Sequence, residues 1–467
     1  MLGEDEDVFD SVTWESPSAP VAYDGGDAPA PSGPGFRQST AESEDGRGPL
    51  DPKWEGYLIT SVKDPVKELA ETKDAYVSYL VSAKTNLPIF STPNPSARRR
   101  FQDFVFLRQH LAKDFPACVV PPLPDKHRLE YVTGDRFSPE FMERRRLDLH
   151  RFLQRLSRHP TLQRSTLLRA FFESTEWHQH VAHPPGPEQA TGVIDSISDS
   201  LLNAFSRVRK PDDRFLSMRE GVDKFEEGIS LSERLFNRVR SRTNDGSLEP
   251  GEDLTGDYHD LAVAVQGLGF LESGITDPLN HFSNTLLEFS ALLRHMTHNT
   301  TDPFLVHLHS LLAYSHANRA VLKLRDQKQM DFEELSDYLS GVTSERDRLA
   351  AVISGRAGST GLGLSSYLKD RVDAFRGADD DRTRVERMRK LDVKIKELQD
   401  AVTTAHETSD AFSDETLREQ KIFQYAKEAE MKEMLGNYAD GQIEFYKAAM
   451  DEWERIIPVI QRIRVDV

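Results

Sequence analysis

The sequence predicts a multidomain protein in which a small α+β domain is followed by an all-α domain of three long, kinked coiled-coil helices. At about 150 residues per domain, a chain of 467 residues is long enough for two to four folded units. In residues 51–182, β-branched and aromatic runs precede helix-like spacing, which favours a three-stranded antiparallel sheet packed with helices. In residues 211–467, apolar residues recur at threes and fours over long stretches, which is typical of coiled coils.

Charge separates the same two regions. The chain has 59 basic and 77 acidic residues and a net charge of −18. Residues 51–183 carry 21 basic and 16 acidic residues, whereas residues 184–467 carry 36 basic and 50 acidic residues. Because acidic segments repel phosphate at long range, we expect no nucleic-acid partner and place any anion site in the basic block.

The other segments contribute little to a core. Residues 1–50 hold 11 acids and 2 bases among many Pro, Gly, Ala and Ser residues, which predicts a disordered acidic tail. The breaker-rich stretch at 183–192 opens a linker that we extend to residue 210. A single cysteine, Cys118, excludes internal disulfides. The acidic N-terminus and the lack of any apolar run of about 18 residues favour a cytoplasmic protein without a membrane span.

The basic block begins with strands. The runs YLITSV at 57–62 and YVSYLV at 76–81 predict two paired strands, with turn-prone DPVK at 64–67 between them. A third strand should enter ARRRF at 97–101.

Helices and one extended passage follow the third strand. From Asp103 the apolar spacing predicts a helix, and the prolines of VVPPLP at 119–124 then require extended backbone. Ser138 as N-cap and Pro139 at the first helical position predict the start of a second helix. One face of that helix carries Phe141, Arg145, Leu149, Phe152 and Leu156.

Arg145 is the one charged residue in this apolar stripe. A guanidinium that faces a core needs an anion, because an unpaired buried charge is very costly. The sequence offers two kinds of partner: an internal carboxylate such as Asp103 or Asp114, or a bound phosphate or polyol.

The order of these motifs resembles the phox-homology (PX) domain. The resemblance covers about 120 residues and consists of an Arg-rich strand end followed by Asp103, the polyproline passage with Lys126, and the helix that carries Arg145.

The resemblance implies a site for phosphatidylinositol 3-phosphate. By position in the motif, Arg100 would bind the 3-phosphate and Phe101 would stack under the inositol ring. Lys126 would meet the 1-phosphate, and Arg145 would hydrogen-bond the remaining ring hydroxyls. A planar guanidinium fork, a lysine and an aromatic face suit such a headgroup. Arg99 faces away from Arg100 in a strand, so we expect it in a structural ion pair.

The acidic region predicts three long helices. We expect the first to run to Met296 with a loop inserted at 244–253, because its seven-residue repeat continues in phase. Pro278 should bend this helix without ending it. We expect a break at HNTTDP (298–303), a second helix from there, and a third helix that runs almost to the C-terminus.

After a PX domain, three such helices resemble the BAR domain of sorting nexins, although the heptads alone leave a spectrin-like rod open. The family implies a homodimer or a heterodimer with another PX-BAR sorting nexin that senses or generates membrane curvature. In the linker an amphipathic helix is predicted, which suits either the lipid headgroup layer or the surface of the bundle. Its apolar face consists of Ile194, Ile197, Leu201, Phe205 and Val208.

These features predict a peripheral membrane protein of endosomes and the pre-autophagosomal structure. The family implies endosome-to-Golgi recycling and selective autophagy, including cytoplasm-to-vacuole transport, pexophagy and mitophagy, with the autophagy machinery as a partner. The alternatives are a helical scaffold and a small-GTPase effector whose PX domain binds protein. The sequence has no phosphate-binding loop, nucleophile elbow or metal-ligand spacing, so we expect no enzyme, no cofactor and no metal site.

Overall fold

A computed structural model describes the chain in seven stretches: residues 56–69, 75–124, 137–177, 212–243, 253–272, 274–353 and 381–463. The first three stretches form an α+β domain, and the other four form a helical domain. Within these stretches, no helix is long and apolar enough to span a membrane.

The α+β domain is built on the predicted three-stranded antiparallel sheet. Strands β1 (Leu58–Glu68), β2 (Tyr76–Thr85) and β3 (Ser96–Arg100) lie in the order β1-β2-β3. The DPVK run does not form the expected turn, because the register shifts between Lys63 and Val66 and the strand continues beyond a bulge.

Three helices pack against this sheet. They are α1 (Phe101–Asp114), α2 (Pro139–Arg158) and α3 (Thr166–Glu173). The start of α2 is as predicted, since the Ser138 hydroxyl accepts the Phe141 amide at 3.3 Å and Pro139 takes the first helical position. The apolar stripe of α2 is buried against a core that includes Tyr79, Val81, Phe104, Leu107, Leu111, Leu149, Phe152, Leu156 and Phe171.

The helical domain contains the long helices that the heptads predicted. Its helices are α4 (Asp213–Thr243), α5 (Leu254–Leu271), α6 (Thr276–Met296), α7 (Asp302–Ile353) and α8 (Asp381–Gln461). At 1.5 Å per residue, the 81 residues of α8 extend over about 120 Å. Helices α7 and α8 run antiparallel, with the side-chain amides of Asn318 and Gln420 paired across them.

The prediction that the first long helix continues to Met296 is wrong, because the chain reverses direction after α5. α5 ends at Leu271 and α6 begins at Thr276, and the two helices run antiparallel, with the Ser283 hydroxyl of α6 donating to the Ala262 carbonyl of α5 at 2.7 Å. The Thr276 hydroxyl closes the turn on the Gly269 carbonyl at 2.8 Å. A heptad pattern is the same for one long helix and for two helices folded back to back, so the repeat alone did not reveal the reversal.

The break predicted at 298–303 is also wrong. Residues Thr297–Thr301 form a π-helical turn that joins α6 to α7 as one continuous helix. Asp302 pairs with Arg240 of α4 and does not start a separate helix. A π turn inserts an extra residue without ending the helix.

Several parts of the sequence interpretation lie outside the described residues. These are the tail at 1–50, Lys126, the linker helix at 194–208, and the chain between α7 and α8 at 354–380.

Candidate functional site

Arg100 lies where β3 ends and α1 begins. Its amide donates to Asp103 Oδ2 at 2.8 Å, and its Nε lies 3.5 Å from Asp103 Oδ1. The side chain is 52% exposed, and the guanidinium carbon lies 6.0 Å from the ring centre of Tyr76. Arg100 is therefore oriented by a carboxylate and still open to solvent at a helix N-terminus, where the backbone dipole favours an anion.

Arg145 is buried in the middle of α2, with only 6% of the residue exposed. Its guanidinium carbon lies 4.5 Å from the ring centre of Phe101 and 4.5 Å from that of Phe141. The structure thus brings two of the predicted site residues, Phe101 and Arg145, into contact, and Arg100 directly precedes Phe101 in the chain.

The neighbouring arginines hold the domain together. Arg99 is buried, and its guanidinium donates to the carbonyls of Phe171 at 2.9 Å and Ser174 at 2.6 Å, at the end of α3. Burial lowers the pKa of Arg99 to about 10, with Asp103 opposing the shift. Its role is thus structural, but helix carbonyls replace the carboxylate that we expected. Arg146 similarly donates to the Val62 carbonyl of β1 at 2.8 Å.

The described chain approaches Lys126 along the predicted extended passage. Residues 119–124 contain no helix or strand, and the Pro121 carbonyl accepts from Arg108 Nε at 3.0 Å. The passage begins at Val119, whose amide donates to Glu419 of α8 at 2.8 Å. The segment that leads to Lys126 is therefore anchored on both domains.

A second buried polar cluster, which the sequence analysis missed, lies where the two domains meet. His159 Nε2 lies 2.9 Å from Glu419 Oε2, and both side chains are 2% exposed. The amides of Thr161 and Leu162 both lie 3.2 Å from His159 Nδ1. Since Nδ1 accepts these amides, the proton is on Nε2, which donates to the carboxylate.

Glu430 forms the other half of this cluster. Arg155 Nε donates to Glu430 Oε2 at 3.0 Å, and His307 Nε2 lies 2.7 Å from Oε1. Burial alone raises the pKa of Glu430, but Arg155 and His307 outweigh it and lower the pKa to about 2. Arg155 also donates to the Ser310 carbonyl at 3.3 Å, so this one guanidinium contacts both α7 and α8.

A sequence signal for Glu430 existed in the heptad of α8. Buried positions recur every seven residues at Ser409, Thr416, Phe423 and Glu430. A carboxylate at a seam position signals a buried base opposite it, but the base lies 275 residues away in sequence, beyond the reach of local spacing.

Cys118, His159 and Glu419 could also be considered as metal ligands, since their ligand atoms lie within 4.8 Å of one another. The hydrogen bonds fit this poorly. A metal would need the lone pair of His159 Nε2, which would move the ring proton to Nδ1, where two amides already point. Burial and the Glu419 carboxylate raise the pKa of the Cys118 thiol, which disfavours the thiolate that binds metals.

The helical domain leaves part of its heptads uncovered. On α5, Leu254, Leu261 and Leu268 are each 44–50% exposed at intervals of seven. On α8, the same interval leaves Ile443, Met450 and Ile457 exposed. Exposed apolar residues at heptad spacing are typical of a coiled-coil seam that a second helix covers.

Comparison with known proteins agrees with both halves of this architecture. Residues 87–175 match the family model of the PX domain. The cryo-EM structure of the SNX-BAR Mvp1 tetramer has a similar fold, with a TM-score of 0.54 at 16% identity, covering 85% of this chain and 100% of that one. The fold is therefore that of a PX domain followed by a helical domain like that of an SNX-BAR protein.

Two fungal relatives match almost end to end. Sorting nexin-4 of Cryptococcus neoformans is 54% identical over 472 residues, which cover 99% of this chain and 94% of that protein. Sorting nexin-4 of Emericella nidulans is 39% identical, covering 97% and 96%. The chain belongs to the sorting nexin-4 family.

Proposed function

We propose that the α+β domain binds phosphatidylinositol 3-phosphate through Arg100, Phe101, Lys126 and Arg145. Arg100 binds the 3-phosphate, Phe101 supports the inositol ring, and Lys126 meets the 1-phosphate. Arg145 hydrogen-bonds the ring hydroxyls. The observation that carries this proposal is the position of the buried Arg145 guanidinium over the ring of Phe101, the residue that directly follows the half-exposed Arg100.

The charges of the domain support an anionic ligand. Residues 51–183 form the net-positive block of an otherwise acidic chain. Each charge-assisted hydrogen bond to a headgroup contributes about 1.5–3 kcal/mol, so a few such contacts give useful recruitment to a membrane.

The exposed seams support dimerisation through the helical domain. A second chain, either a copy of this one or another PX-BAR sorting nexin, would cover the apolar residues of α5 and the C-terminal part of α8. Two linked lipid sites exceed one site's apparent affinity by about 10²–10⁴, provided that both reach the same membrane.

The resulting dimer senses or generates curved endosomal membrane. By family, the pathway served is endosome-to-Golgi recycling and selective autophagy, with the endosome and the pre-autophagosomal structure as the places of action.

Flotation with liposomes tests the lipid site. Vesicles that contain one phosphoinositide at a time are mixed with the full chain, with Arg100→Ala and with Arg145→Ala. We expect binding to phosphatidylinositol 3-phosphate vesicles that both variants lose. Arg144→Ala is the matched control, because Arg144 is exposed on the same helix and its loss should change nothing. Unchanged binding by Arg100→Ala would favour a PX domain that binds protein.

Sedimentation tests the dimer seam. Met450→Asp places a charge in the exposed heptad of α8, and we expect it to shift the chain towards monomer. Leu147→Asp, at a similarly exposed apolar residue of the α+β domain, should leave the oligomeric state unchanged. Equal sedimentation of both variants and the wild type would exclude this surface as the interface.

A further inference from the structure

The junction between the two domains is a set of polar pairs in which two arginines and one histidine of the α+β domain meet three carboxylates of α8. The bases come from the end of α2 and the residue after it, and the carboxylates come from one face of α8. The pairs are Arg155 with Glu430, Arg158 with Glu433, and His159 with Glu419. Apolar contact accompanies them, because Val119 packs with Tyr314, Val321 and Phe423.

The two buried pairs, Arg155 with Glu430 and His159 with Glu419, form only at one docking angle of the domains. In the Arg155–Glu430 pair the side chains are 4% and 6% exposed, and Glu430 also contacts His307. Taking such a pair out of water offsets much of its attraction, so its net stabilisation is small. A docking angle that separated the partners would leave buried charges unpaired, which is strongly unfavourable. The pairs therefore select one orientation more than they add stability.

The same two carboxylates anchor the elements that carry the proposed lipid site. Helix α2 holds Arg145 and, ten residues later, Arg155, roughly 15 Å along one rigid helix. Glu419 holds the amide of Val119, where the extended passage towards Lys126 begins. Glu430 thus fixes the helix that carries Arg145, and Glu419 fixes the described start of the extended passage, relative to α8.

We propose that Glu419 and Glu430 are positioning residues that hold the lipid pocket in a single orientation on the helical domain, so that pocket and helices engage one membrane together. The consequence at the membrane rests on the proposed function, whereas the single orientation does not.

The orientation is measured without lipid. Spin or fluorescent labels are placed on Gln109→Cys of the α+β domain and Glu407→Cys of α8, both exposed positions. Cys118 remains unlabelled, because it is buried. We expect one narrow distance distribution in the otherwise wild-type protein and a broad one when Glu419→Gln and Glu430→Gln are combined. Glu428→Gln, which removes the same charge from an exposed position of α8, should keep the narrow distribution. A narrow distribution in the double variant would overturn the proposal.

A second variant keeps the test valid if the double Gln variant does not fold. Arg155→Met combined with Glu430→Met replaces the inner pair with apolar side chains of similar size, which keeps or raises stability. If the double Gln variant unfolds, a broad distribution in this folded Met variant supports the proposal, and a narrow one overturns it.

Lipid-binding assays then distinguish a loss of domain orientation from damage to the lipid site itself. The positioning role predicts unchanged affinity for soluble short-chain phosphatidylinositol 3-phosphate in the double Gln variant, with at least a tenfold loss of apparent affinity for vesicles, since avidity depends on geometry. Equal losses in both assays would mean that the carboxylates only support the pocket. If no form binds the lipid, the proposed function fails, while the distance measurement still decides the orientation.

Discussion

Two arginines on the same helix, Arg145 and Arg155, meet different surroundings. Arg145 lies between the rings of Phe101 and Phe141, near the half-exposed Arg100. Arg155 lies against the carboxylate of Glu430 and over the ring of Tyr314. Both residues are about equally buried, at 6% and 5% exposed. Burial of an arginine alone therefore does not distinguish a ligand site from a structural pair.

The comparison also shows how one helix serves two purposes. Its first half faces the proposed headgroup, and its second half faces α8. Because a helix transmits position without bending over ten residues, the lipid site and the domain junction share one rigid support.

The largest effect is expected when the structural arginine of this comparison, Arg155, is removed. Arg155→Ala leaves Glu430 buried without its main partner, which costs about 3–5 kcal/mol. We expect a clear drop in the free energy of unfolding by chemical denaturation, with the affinity for short-chain lipid retained in the folded fraction. A stability within 1 kcal/mol of the wild type would show that the pair is not sequestered from water.

Arg145→Lys tests the arginine of the proposed lipid site and is expected to have the next largest effect. Lysine keeps the charge but loses the planar fork, which removes contacts that contribute about 1.5–3 kcal/mol to headgroup binding. Titration calorimetry should show a tenfold or greater loss of lipid affinity with the melting temperature little changed. A clearly lower melting temperature with unchanged lipid affinity would reverse the roles assigned to the two arginines.

The pH dependence of stability tests the pair of Arg155 with Glu430 separately. The pKa of Glu430 is lowered to about 2 from an ordinary value near 4.5, so its contribution to stability is complete above pH 4.5 and is lost as the pH falls towards 2. We expect the stability difference between the wild type and Glu430→Gln to be constant at neutral pH and to shrink between pH 4.5 and pH 2. A difference that vanishes already near pH 6 would point to a histidine as the controlling group.

The smallest effect is expected at the partly exposed pair of the domain junction. Arg158 pairs with Glu433 at 3.2 Å, but the side chains are 32% and 47% exposed, so Arg158→Ala should cost less than about 1 kcal/mol. Denaturation of this variant beside Arg155→Ala gives a control on the same helix. Similar losses in both would remove the distinction between inner and outer pairs.

Local chemistry explains what could be predicted from the sequence. Ser138 and Pro139 define the start of α2, and the spacing of its apolar residues predicts the buried face that includes Arg145. These features depend on residues within a few turns of one another. The partner of Arg155 could not be predicted in this way, because Glu430 is distant in sequence and the pairing exists only once the domains dock.

The heptads show the same limit. They predicted helices and apolar faces correctly, but Thr276 and Gly269 close a turn that reverses the chain where we expected one continuous helix. Periodicity records which residues are buried, and it carries no information on whether the covering helix comes from the same chain direction, the opposite direction or a second molecule.

Titration of soluble short-chain phosphatidylinositol 3-phosphate into the full chain tests the lipid site most directly, since it removes avidity and membrane insertion. We predict one saturable site per chain, lost in Arg100→Ala and Lys126→Ala, kept in Arg144→Ala, and not filled comparably by the 4-phosphate isomer. Equal affinity for both isomers, or unchanged binding by Arg100→Ala, would contradict the account.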